Sequence, residues 1–87
     1  MMTGRTLVAW NLRRLRVAAG LSQEALAHDA GIDRAYLSGL ERQVENPSVD
    51  LITRLAVALN APVGELFVEP AAGEAPPQPL PGGRRRA

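Results

Sequence analysis

Eighty-seven residues suffice for one small domain with a modest core. There is no cysteine and a single histidine, His28, which excludes a disulfide framework, a thiolate zinc site and any histidine metal cluster. The formal charge of +1 becomes −1 over residues 1–69, where seven arginines face eight Asp and Glu, because Arg84, Arg85 and Arg86 sit at the C-terminus.

Residues 1–5 read as a short flexible lead. From Thr6 onward Val8, Leu12, Leu15 and Ala19 recur at spacings of four, three and four, one face of a helix, with Arg13, Arg14 and Arg16 off that stripe. Arg13 and Arg14 are expected to be solvated. Gly20 suits the left-handed residue that ends the helix, and Ser22 suits the N-cap of a second one carrying Glu24 in its first turn. The second helix presents Leu26, Ala27 and Ala30 before Gly31. Asp33 can cap a third, whose inner face holds Leu37 and Leu40. Pro47 disfavours a helical Asn46, so "ENPS" is a break, and Ser48 caps a fourth helix with Val49, Ile52, Leu55, Ala56 and Leu59 inward. After "NAP", "VGELF" reads as a short fifth helix.

Composition changes beyond Glu69. Residues 70–87 hold five of the seven prolines and read as a disordered Pro/Gly/Arg-rich tail, so the folded domain is expected over residues 6–69. Five short helices and no strand signal give an all-α fold. No apolar run is long enough to cross a membrane and no signal peptide is legible, so a cytoplasmic protein is expected.

The stretch from Gln23 to Gln43 carries more than helix-forming residues. Two helices that cross steeply need a small residue where their backbones approach, and Ala27 supplies it. The turn needs positive φ, and Gly31 follows four residues later. Leu26, Ile32, Leu37 and Leu40 then face one core. This is the spacing of a helix-turn-helix. A helix pair alone has no need of Arg34 and Tyr36 at the mouth of its second member.

"LRRLRVAAGLSQEALAHDAGIDRAYLSGLER", followed by "NPS" and "LAVALNAPVGELF", resembles the Cro/CI-type (XRE) helix-turn-helix family over roughly residues 7 to 68. These are lambda-repressor-like DNA-binding domains of five helices. "DRAYLSGLER" is particularly similar to the controller proteins of restriction-modification systems. The resemblance implies a homodimeric transcription regulator, repressor-like, that places its third helix in the major groove of a partly palindromic double-stranded DNA operator. No cofactor or metal is expected, and with no effector domain in the sequence no small-molecule effector is evident.

Carried over position by position, it implies that Gln23 grips a phosphate at a helix N-terminus, where anions are favoured. Arg34, Ala35 and Ser38 match positions facing the groove floor, and Tyr36 one near the backbone and base edges. Gly39 lies on that face without a side chain. Arg42 and Asn46 match phosphate contacts at the helix end. Arg16 and Glu41 are implied to form an ion pair. Many family members end the third helix with glycine and follow it with basic residues, whereas this chain has Gln43, Val44 and Glu45. Val57, Phe67 and Val68 are apolar beyond what the inner stripes use, and they mark the fourth and fifth helices as a dimer contact.

Two rival classes remain in view. A protein-interaction module of the same fold, such as an antitoxin or adaptor, accords with the weak net charge. An enzyme does not fit: the sequence has no legible Ser/His/acid arrangement and no glycine-rich phosphate loop after a strand.

Overall fold

Three helices begin on a hydroxyl. The computed structural model describes residues 2–71, 73 and 74; the expected tail falls largely outside them. Helix α1 runs Gly4–Ala18, α2 Gln23–Ala30, α3 Arg34–Glu41 and α4 Val49–Ala58. The Oγ1 of Thr3 accepts from the Thr6 amide at 3.2 Å, the Oγ of Ser22 from Ala25 at 3.0 Å, and the Oγ of Ser48 from Leu51 at 3.0 Å. Each satisfies a backbone donor that the first helical turn leaves free. Because Thr3 caps it, α1 starts at Gly4, two residues ahead of the expected Thr6. Asp33 occupies the corresponding extended position before α3, but its carboxylate accepts no capping hydrogen bond.

The four helices end alike. Each is followed by a left-handed residue: Gly20, Gly31, Gln43 and Asn60, with φ of 73°, 73°, 66° and 55°. Two backbone bonds accompany each reversal. At Gly31 they run from its own amide to the His28 carbonyl (3.2 Å) and from Ile32 to Ala27 (2.9 Å). At Gln43 they run from its amide to Leu40 (3.2 Å) and from Val44 to Gly39 (2.9 Å). The last carbonyls of each helix are thereby paired, and the chain turns sharply enough for the next element to pack back.

One expected element differs. Val63–Phe67 is a 3-10 helix, so the structure has four α-helices where five helices were expected. Only five residues lie between Pro62 and the extended Val68, too few for a ladder of four-residue bonds, and the Glu65 amide bonds instead to Pro62 at 3.0 Å. No strand occurs among the described residues.

Leu12, Leu26, Leu37, Leu40, Leu55 and Leu66, one or two from every element, are fully buried together. Truncating any of them to alanine would cost about 2 to 5 kcal/mol. Helix α2 packs on α3 and α4, while α1 packs on α3 and the 3-10 helix, which also rests on α4. The 3-10 segment is tied down by polar groups as well. The buried Asn11 donates from Nδ2 to the carbonyls of Leu7 (2.9 Å) and Val68 (2.8 Å), and Arg14 Nη2 reaches the Glu65 carboxylate at 3.1 Å. Arg14, expected to be solvated, is therefore half-buried in an ion pair. No helix among the described residues is long and apolar enough to cross a membrane.

Candidate nucleic-acid interface

The α2–turn–α3 unit has the packing its spacing requires. Ala27 is buried where the helices cross, and Gly31 makes the left-handed turn. A side chain from α4 fixes that turn: Arg54 Nη2 donates to the carbonyls of Ala30 (2.8 Å) and Gly31 (3.0 Å). A Cβ at position 31 would lie 2.9 Å from the same nitrogen, so glycine serves both the φ value and the approach of Arg54.

The far end of α3 is held by a charged brace. Arg16 donates from Nε to Glu41 Oε2 at 2.7 Å and from Nη2 to Oε1 at 3.0 Å, a bidentate pair with side chains only 6% and 3% exposed. Its remaining amino group donates to the Leu21 carbonyl at 2.9 Å. Gln23 Nε2 adds a bond to Glu41 Oε1 at 3.1 Å. Two buried charges are tolerable only when the partners are hydrogen-bonded as fully as these. The brace joins the end of α1, the start of α2 and the end of α3. The resemblance placed Arg16 with Glu41; it gave no hint that Gln23, half-buried, turns its amide into the same cluster.

What these restraints hold outward is the other arc of α3. Arg34 and Ala35 are exposed in its first turn, Ser38 is half-buried one turn on, and Arg42 is exposed after its last residue. Their spacings of three and four put them on one face. Tyr36 lies off that face, half-buried and packed on the core, and Asn46 is exposed in the following loop. Gly39 departs from expectation. It belongs to the outer arc by spacing yet is buried, because Val44 and Glu45 fold back over it. Arg34, Arg42 and Asn46 make no side-chain hydrogen bond to another described residue.

Three features of this surface were not read from the sequence: the Arg54 clamp, the inward turn of Gln23, and the cover of Glu45 over Gly39. The sole signal for any of them was glycine at positions 31 and 39. Among the described residues no group of three His, Cys, Asp or Glu side chains could hold a metal ion.

The helix-turn-helix family HTH_3 matches the chain over residues 12–66. A hypothetical transcription factor of Neisseria meningitidis serogroup B is 39% identical over 66 residues, 76% of this chain and 62% of that protein. The chain thus spans less than two thirds of that relative. The control protein C.SmaI of Serratia marcescens is 37% identical over 63 residues, covering 72% of this chain and 75% of that one. The crystal structure of the restriction-modification controller protein C.AhdI from Aeromonas hydrophila is similar with a TM-score of 0.70 and 46% identity, covering 72% of this chain and 96% of that one. By its motif, its fold and these relatives, the chain belongs to the XRE-type helix-turn-helix family of transcription regulators.

Proposed function

We propose that the protein is a sequence-specific regulator that binds a partly palindromic operator as a homodimer, with α3 in the major groove. The observation that carries this reading is the exposed pair Arg34 and Ala35 in the first turn of a helix braced at both ends. The N-terminal residues of a recognition helix are those that reach base edges. Arginine there can donate twice to guanine O6 and N7, and alanine suits a thymine methyl. Ser38 donates or accepts one turn later, and Tyr36 flanks the groove wall. Arg42 and Asn46 take phosphates, as does Gln23 with the amide N–H that Glu41 leaves free.

The dimer contact in this reading is the apolar end of the domain. Val57 is 74% exposed, Phe67 43% and Val68 44%, apolar surface left bare at the end of α4 and after the 3-10 helix; Val49, expected to face inward, is exposed too. Isologous pairing there would set two α3 helices on one side of a twofold, addressing half-sites about one DNA turn apart.

Selection of bound sequences from a random duplex pool tests the reading. Recovery of an inverted repeat with half-sites about 10 base pairs apart is the expected result. Absence of affinity for any duplex at low salt would overturn it in favour of a protein-interaction module.

A further inference from the structure

The outer arc of α3 has a gap that another segment fills. Gly39 stands four residues after Ala35, one turn on, so its side-chain direction adjoins that of Ala35. It has no side chain to offer. The left-handed Gln43, with the Val44 amide bonded to the Gly39 carbonyl at 2.9 Å, reverses the chain and brings residues 44 and 45 back over the helix. A Cβ at position 39 would lie 2.7 Å from Glu45 Cγ, 3.3 Å from Val44 Cγ2 and 3.4 Å from Glu45 Oε2. The carboxylate of Glu45 thus lies where a side chain on residue 39 would emerge. It is half-buried, and it makes no ion pair or hydrogen bond to any described residue.

We propose that Glu45 is a specificity-determining residue of the α3 surface: its carboxylate, laid over Gly39, accepts a hydrogen bond from the exocyclic amine of cytosine. This rests on the DNA-binding reading above. An ionised carboxylate has acceptors and no donor. In the major groove guanine presents N7 and O6 and thymine presents O4, all acceptors that repel it. Adenine offers an amine but sets N7 beside it. Cytosine N4 is a donor with no acceptor alongside on its own edge. The same negative charge weakens phosphate contacts for every sequence alike, so Glu45 exchanges general affinity for discrimination.

The experiment is selection from a random duplex pool with the wild type, Glu45→Ala and Gly39→Ala, each checked for folding by thermal melting. Gly39→Ala retains the carboxylate but displaces it, which separates its position from its charge. The wild type should prefer cytosine at one base pair of each half-site by on the order of tenfold. Both variants should lose that preference while the remaining base pairs keep theirs. An unchanged preference in Glu45→Ala with affinity raised uniformly would overturn the proposal, leaving the carboxylate as a repeller of phosphates. Absence of any cytosine preference in a wild type that does select an operator would overturn it too. Should Gly39→Ala fail to fold, Glu45→Ala decides alone. A wild type that selects no sequence at all contradicts the DNA-binding reading itself, a result distinct from either of these.

Discussion

Arg16 and Glu41, twenty-five residues apart, meet in a bidentate pair that is almost wholly out of water. Removing the carboxylate leaves a buried guanidinium with the Leu21 carbonyl as its one remaining partner among the described residues and strips Gln23 of its acceptor. Glu41→Ala should therefore lower stability by about 3 to 5 kcal/mol, measured by urea or thermal unfolding. A loss below about 1 kcal/mol would show the pair to be solvated and mobile in solution.

Arg34 is the opposite case, an exposed side chain whose removal touches no packing. Arg34→Ala should leave the unfolding free energy within about 0.5 kcal/mol of wild type. Operator binding should weaken by about 1 to 3 kcal/mol per half-site, with the preference relaxed at one base pair. A uniform loss over all sequences with a smaller salt slope would instead mark Arg34 as a phosphate contact.

The left-handed glycines allow a controlled comparison. Gly20 and Gly31 share a φ of 73°, but a Cβ at Gly20 meets nothing within 4 Å whereas one at Gly31 meets Arg54 Nη2. Gly20→Ala should cost about 1 to 2 kcal/mol, the strain of a side chain in that conformation. Gly31→Ala should cost more, because the Arg54 clamp is displaced as well. In an Arg54→Ala background the two costs should converge, and denaturation of the four glycine variants beside the wild type and Arg54→Ala provides the check. Equal costs in the wild-type background would mean that Arg54 moves aside freely.

Phe67→Asp tests the proposed dimer face. Sedimentation should find monomer, since a charge would be driven into the apolar contact. The fold should persist, because Phe67 is 43% exposed while its neighbour Leu66 is the residue of that segment that fills the core. A variant that remains dimeric would locate the interface on another surface.

The helices were legible because their signals are local: apolar residues at spacings of three and four, hydroxyls before α2 and α4, and glycine or asparagine after three of the ends; the Thr3 cap before α1 was not among them. Gln43 hid its left-handed turn because a long side chain seldom adopts it; here the Thr6 hydroxyl donates to its Oε1 at 2.9 Å. "VGELF" carries helix-forming residues, but its length between Pro62 and Val68 decides its type, and periodicity says nothing about that. Of the interface, the exposed first turn of α3 followed from the motif. The Arg16–Glu41 pair followed from the resemblance; the other polar restraints did not, because nothing in the spacing of Arg14 or Asn11 points to partners more than fifty residues away. Glu45 read as an acid where many family members carry basic residues; its placement over Gly39 depends on a chain reversal three-dimensional in origin.

Helix α1 grips the molecule on both sides. Asn11 and Arg14 hold the segment around Glu65 and Val68, and Arg16, two residues later, holds the end of α3. Those three side chains lie within about 8 Å along a single helix axis, too short a lever to bend appreciably. A subunit built this way is a caliper with a locked jaw. The distance from the segment around Val68 to the end of α3 is set by one stiff rod, and in the proposed dimer two such subunits would measure a fixed gap between half-sites, intolerant of an inserted base pair.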